Sequence, residues 1–272
     1  MRKNLLDPVK CQFVLDNYKD YSYKKLGEII GLGERQVDYI LRKNGLKSGR
    51  KGQFERKYKY TLNHEYFDQI DSHNKAYVLG FILADGCVSG ENVRYALKVG
   101  LNPKDKCVLD FIQKELNNNS PYYYNKSNNS LCLNINSKHL VSSLMKVGIK
   151  PAKTYLTDIP KIPEEYKFSF FLGIFDGDGC IFTKYRQKGK YVSFDSKFTI
   201  TGKHYQYIKN IKDMTGIEYG KIYKVDEYHV WAITNSKEIL DVYNKIYGKT
   251  DFYLERKHKR FEEIINFRKG KD

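Results

Sequence analysis

A short acidic, glycine-bounded motif occurs twice in this chain. The copies read Val78-Leu79-Gly80-Phe81-Ile82-Leu83-Ala84-Asp85-Gly86 and Phe171-Leu172-Gly173-Ile174-Phe175-Asp176-Gly177-Asp178-Gly179. Each is an apolar helix pattern that ends in Asp and then in a helix-stopping Gly. A carboxylate at a helix C-terminus faces the negative end of the helix dipole. Two such carboxylates brought together repel unless a divalent cation lies between them. The motif therefore points to a metal site at a helix–helix seam. Gly80 with Ala84, and Gly173 with Gly177, set a small residue at every fourth position. That spacing lets two helix backbones approach closely, and the approach carries Asp85 and Asp178 to one end.

The copies belong to longer repeats. Asn136-Ser137-Lys138 recurs as Asn235-Ser236-Lys237, 99 positions on, and at that separation Lys98, Val99, Leu101 and Lys104 meet Lys197, Phe198, Ile200 and Lys203. The motif aspartates are only 93 positions apart, so six extra residues fall after the second motif, in 185–196 as against 89–94. Internal duplication with one loop insertion accounts for this pattern.

Lys and Arg number 48 against 32 Asp and Glu, a formal net charge of +16, which suits a polyanionic partner. With 41% hydrophobic residues in 272, a sizeable core is available for one large domain or two to three smaller ones. The five cysteines (Cys11, Cys87, Cys107, Cys132, Cys180) are scattered and form no C-x-x-C pair; neither a disulfide framework nor a zinc ribbon is indicated. Cys87 and Cys180, repeat equivalents, read as core residues rather than ligands. The N-terminus has no signal-peptide pattern and no apolar run reaches spanning length. The expected setting is reducing: cytoplasmic, or an organellar matrix, and not secreted.

Residues 8–46 read as three short helices, 8–18, 23–30 and 34–44, with Ser22 as a cap and Gly31-Leu32-Gly33 as the break. Leu26, Ile29, Ile30, Leu32, Val37, Ile40 and Leu41 fit a small helix-turn-helix core. The helix after the break would present Arg35, Gln36, Tyr39, Arg42 and Lys43 to phosphates and base edges. A three-helix packing module without DNA contact is the alternative. The expected organisation is a helix-turn-helix module over 1–47, a flexible basic linker over 48–62, repeat one over 63–160 and repeat two over 161–272. Repeat one reads as helix 75–85, strands 87–89 and 93–101, helix 106–116, strands 122–124 and 131–135, and helix 138–147. Repeat two gives the same order over 168–178, 180–185, 191–201, 205–215, 221–225, 229–233 and 237–247, and a last helix covers 254–267. The outward strand residues, Lys98 and Lys197 among them, are rich in Lys, Arg, Asn, Tyr and Thr, a face suited to a duplex groove.

Both motifs resemble the nine-residue signature of LAGLIDADG homing endonucleases in the monomeric two-motif form. The lead-in Tyr66-Phe67, Ile70-Asp71 and Lys75-Ala76-Tyr77, the later Lys153-Thr154, Pro160 and Pro163, and Leu254-Glu255-Arg256-Lys257 resemble that family too. The resemblance covers residues 63–267 and leaves the N-terminal module outside.

It implies an α+β fold of two pseudo-symmetric αββαββα repeats, with the motif helices packed along the pseudo-two-fold axis and saddle-shaped antiparallel sheets over duplex DNA. It implies that Asp85 and Asp178, at the eighth motif position, each hold a divalent ion, Mg²⁺ or Mn²⁺, against a scissile phosphate. The sixth position varies in the family, so Asp176 is not assigned to catalysis. The family places a lysine near each site; the matches are Lys153 and Lys257, which do not share one register in the two repeats. Asn102 and Thr201, at strand ends, are candidates for positioning water. The resemblance thus implies a monomeric, site-specific double-strand DNA endonuclease of a mobile intron or free-standing element. The alternatives on the same scaffold are an RNA-binding intron maturase and a catalytically inactive DNA-binding regulator. Retention of both aspartates speaks against the regulator, and the N-terminal module favours duplex DNA over RNA.

Overall fold

The computed structural model describes residues 7–46, 60–90, 94–151 and 157–269. The chain divides into two compact units, Met1–Lys59 and Tyr60–Asp272.

The first unit holds helices α1 (Pro8–Asn17), α2 (Tyr23–Ile30) and α3 (Glu34–Lys43). Asp7 and Ser22 accept the Val9 and Lys25 N–H groups, which satisfies donors that a helix start leaves open. α2 ends on Gly31 at φ +69, a left-handed conformation that glycine adopts without a Cβ clash. The following turn presses the Leu32 carbonyl onto Gly27, where any Cβ would collide with it. Val14, Leu26, Leu32, Val37, Ile40 and Leu41 form the core. Ile29, expected in that core, is 48% exposed; the inward side of this eight-residue helix is taken by Leu26 and Gly27. Of the expected linker over 48–62, residues 48–59 lie outside the described residues, and 60–62 belong to the second unit, where the Thr61 N–H donates to Asn119 Oδ1.

The second unit repeats one pattern. Its first half is α4 (His73–Asp85), β1 (Gly86–Ser89), β2 (Ala96–Leu101), α5 (Lys106–Glu115), β3 (Tyr123–Asn125), β4 (Ser130–Ile135) and α6 (Lys138–Val147). The second half is α7 (Lys167–Asp178), β5 (Gly179–Lys188), β6 (Tyr191–Gly202), α8 (Tyr205–Thr215), β7 (Lys221–Val225), β8 (Tyr228–Ile233) and α9 (Ser236–Ile246), followed by α10 (Glu255–Lys269). The antiparallel sheets run β1-β2-β4-β3 and β5-β6-β8-β7. Strand residues alternate in burial. Val88, Leu97, Val99, Leu133 and Ile135 face inward in one sheet, and Ile181, Phe198, Ile200, Trp231 and Ile233 in the other. Cys87 and Cys180 precede inward residues and are exposed, which corrects their reading as core. No helix among the described residues is long and apolar enough to cross a membrane.

Pairing corrects the repeat register. Gly86 pairs with Val99, and Gly179 with Ile200. Val99 thus matches Ile200 rather than Phe198, and Lys98 matches Thr199 rather than Lys197. The insertion is not a loop: β5 and β6 stay paired out to Lys188↔Tyr191, so the hairpin itself is longer. A two-residue slip preserves the side-chain face, and Lys98 and Lys197 both remain on the outward face. The repeated Asn-Ser-Lys slips by one, because the capping residue is Ser137 before α6 and Asn235 before α9.

Helices α4 and α7 lack an amphipathic stripe: Ala76 to Leu83 and Ser169 to Asp176 are all buried. A helix apolar on all sides belongs in the middle of a core. Here each covers its own sheet and packs against the other.

Candidate active site at the helix seam

The seam is reciprocal. A Cβ at Gly80 would be driven into the backbone carbonyl of Phe170, and a Cβ at Gly173 into that of Tyr77. Further along, a Cβ at Gly177 would collide with the Ala84 side chain and come within 3.3 Å of an Asp85 carboxylate oxygen. The small residues singled out in the sequence therefore line the contact, and the Asp85 carboxylate lies against the last turn of α7. Both helices then stop. Gly86 and Gly179 are not left-handed caps; their φ values are −75 and −90. They are glycines because a Cβ would strike the Ile82 and Phe175 carbonyls of the preceding turn. The chain leaves each helix directly into β1 or β5, so Asp85 and Asp178 stand at the junction of seam and sheet. Asp85 is exposed and Asp178 half-buried.

These carboxylates suit only some ions. Among the described residues no group of three or more His, Cys, Asp or Glu side chains could hold a metal. Carboxylates at the negative ends of two helices fit a hard cation that keeps waters and phosphate oxygens as its other ligands.

Lys257 is 4% exposed. Its ammonium donates to the carbonyls of Phe175, Asp176 and Gly179 at 2.6, 2.9 and 2.6 Å. All three protons are thus used at the C-terminal end of α7, where a positive charge offsets the helix dipole. Burial pushes its pKa down to about 8, while the Asp176 carboxylate opposes that shift. Lys257 holds the helix end that carries Asp178, and its charge reaches Asp85 through space. Lys153 lies outside the described residues. Asn102 accepts the Lys104 N–H and is tied to the turn before α5. Thr201 pairs with Val230 near the end of β6.

Asp176, left without a catalytic role, is fully enclosed. Its Oδ2 accepts from Tyr77 Oη at 2.9 Å and from the Leu254 N–H at 2.8 Å. Burial raises its carboxyl to about pH 6, against the pull of Lys257. The sequence signal was available: an Asp inside an otherwise apolar turn must have buried partners. Tyr207 of α8 was missed. Its phenol is pushed up by burial first and by the Asp178 charge second.

On the outward face of the first sheet, Lys98 stands between Cys87 and Asn134. On the second, Lys197 donates to Tyr223 Oη at 2.7 Å and pairs across from the exposed Phe182. In the first unit Arg35, Arg42 and Lys43 are exposed along α3, with Arg42 3.0 Å from Asp38 and Tyr39 52% exposed. Gln36 is half-buried, and its Oε1 accepts the Gly33 N–H at 2.8 Å, so it serves the start of α3.

No family model and no curated protein matches the chain. Solved structures do. The LAGLIDADG homing endonuclease I-LtrWI bound to target DNA is 15% identical, with a TM-score of 0.55 over 77% of this chain and 92% of that one. The LAGLIDADG meganuclease I-AabMI bound to uncleaved DNA is 12% identical, with a TM-score of 0.55 over 72% and 91%. I-SmaMI bound to an uncleaved DNA target in the presence of calcium ions is 13% identical, with a TM-score of 0.54 over 78% and 93%. The chain therefore has the LAGLIDADG homing endonuclease fold, with both motif helices on one polypeptide.

Proposed function

We propose that this protein is a monomeric, site-specific double-strand DNA endonuclease. The observation that carries the reading is the reciprocal seam, at whose end Asp85 and Asp178 stand where the two sheets begin. One chain supplies both halves, so a second subunit is not needed to cut two strands.

In this reading Asp85 and Asp178 would each hold one divalent cation, Mg²⁺ or Mn²⁺, one for each strand. The bound ion supplies Lewis-acid polarisation of the phosphate and a water of lowered pKa. The rest is positioning by the chain. Backbone contact at Gly80 and Gly173 fixes the spacing of the two carboxylates. Lys257 braces the end of α7 and adds positive charge beside the developing negative charge. Lys98 and Lys197, with the polar and aromatic residues around them, track the duplex on either side. Arg35, Arg42 and Lys43 add phosphate contacts from the N-terminal unit; Gln36, engaged at the start of α3, contributes less than the sequence suggested.

Purified protein incubated with Mg²⁺ and a randomised duplex library tests the proposal. It predicts recovery of one long asymmetric site cut on both strands, with no cutting in EDTA. Recovery of bound but uncut DNA under every divalent metal would favour the regulator reading instead.

A further inference from the structure

The chain also crosses between the repeats through the segment that leads into α10. Residues 250–257, the end of the α9–α10 connection and the first turn of α10, lie against the first repeat as well as the second. Asp251 and Asn74 of α4 exchange two hydrogen bonds, at 2.9 and 3.1 Å. Phe252 stacks on Phe111 of α5 at 4.6 Å between centroids and meets Tyr77 of α4 edge-on. Arg256 binds Asp105 through Nε and Nη2 at 2.9 and 3.0 Å, the two-point geometry in which guanidinium and carboxylate fit best. Between these contacts Leu254 donates its N–H to Asp176, which also accepts from Tyr77 of the other repeat. Lys257 then closes on the α7 carbonyls.

One carboxylate thus receives a donor from α4 and a donor from the crossing segment. Its other oxygen, Asp176 Oδ1, and the hydroxyl of Tyr247 are buried with no hydrogen-bond partner among the described residues. Tyr247 is nonetheless near enough to feel the Asp176 charge. Such a seat is costly to build; the equivalent motif position of repeat one holds the buried Leu83, whose side chain has no acceptor.

We infer that Asp176 is a positioning residue: it seats 250–257 as a strap across the two repeats, and through that strap it fixes the end of α7, and with it Asp178. Loss of the seat would then loosen the Asp178 half of the site more than the Asp85 half. The cleavage consequence rests on the nuclease reading above, whereas the structural consequence does not.

The test compares the full chain with Asp176→Asn, which keeps an oxygen to accept from Tyr77 and Leu254, with Asp176→Leu, which copies repeat one, and with Arg256→Ala at the exposed end of the strap. Hydrogen exchange is read at 254–257, at 175–179 and at 82–86. Asp176→Leu should speed exchange about tenfold or more in the first two stretches and less than about threefold in the third. Asp176→Asn should stay near wild type, and Arg256→Ala should show the same selectivity at smaller size. If Asp176→Leu does not fold, Arg256→Ala carries the comparison. Equal acceleration at both helix ends, no acceleration, or an Asp176→Asn protein as impaired as Asp176→Leu would each overturn the inference. On a cleavable target, single-turnover rates are then read strand by strand. Asp176→Leu should slow one strand about tenfold more than the other, as expected when one reacting geometry loosens and its partner does not. Parallel slowing of both strands would contradict it. A wild-type protein that cuts nothing would defeat the nuclease reading, and the exchange pattern alone would then decide on the strap.

Discussion

Gly80 of the first motif helix packs directly on the backbone carbonyl of Phe170 in the second, and the contact is returned by Gly173 on Tyr77. The obstruction on each side is main chain, so no rotamer change can make room for a side chain. Gly80→Leu or Gly173→Leu should each destabilise the second unit by about 3 kcal/mol or more, the upper range for overpacking a core. Thermal or denaturant unfolding checks this. Unchanged midpoints in both variants would mean that the helices do not meet at these glycines.

The outward lysines should act on affinity rather than chemistry. Lys98→Ala and Lys197→Ala should each weaken binding of target and non-target duplex alike. Each should also lower the slope of log affinity against log salt by about 0.9, the value for one lost phosphate contact. Salt titrations by fluorescence anisotropy would show it. A sequence-selective loss with an unchanged slope would instead assign the lysine to base edges.

The N-terminal unit is compact in its own right and contains neither motif aspartate. A fragment starting at Gln53 should still cut the target with Mg²⁺ once protein concentration offsets weaker binding. The full chain should protect a longer stretch of duplex and show the steeper salt dependence. Equal footprints and equal slopes would remove DNA binding from this unit and point to a protein partner.

Much of this architecture was legible in the sequence because it rests on local pattern. Helices apolar on every side, small residues at fourth-position spacing and alternating strands are periodic, so the seam and both αββαββα repeats could be read. What could not be read depends on contacts distant in the chain. The match of Lys98 to Lys197 followed letter identity, and only pairing to Gly86 and Gly179 revealed the two-residue slip. Cys87 and Cys180 look like core residues by type, yet the pleat turns them outward. Asp176 has meaning only through Tyr77 and Leu254, which come from other segments. Lys257 was found by family likeness, but its three carbonyl partners lie about eighty positions away.

Metal removal should separate binding from cutting. EDTA should stop cleavage without unfolding the protein, since the core is apolar and the carboxylates lie at its edge. Ca²⁺, larger and less demanding in geometry than Mg²⁺, should support specific binding with little turnover. Full cleavage in EDTA, assayed on a linear target, would rule out a divalent metal in the reaction.

The central claim is that Asp85 and Asp178 each carry one half of a metal-dependent double cut, and Asp→Asn at each position tests it most directly. The change removes a metal-binding charge and almost no volume. With the selected target and Mg²⁺, Asp85→Asn and Asp178→Asn should each abolish double-strand cleavage while leaving specific binding within about threefold of wild type, a difference of under 1 kcal/mol. Linear product formed at the wild-type rate by either variant would contradict the account.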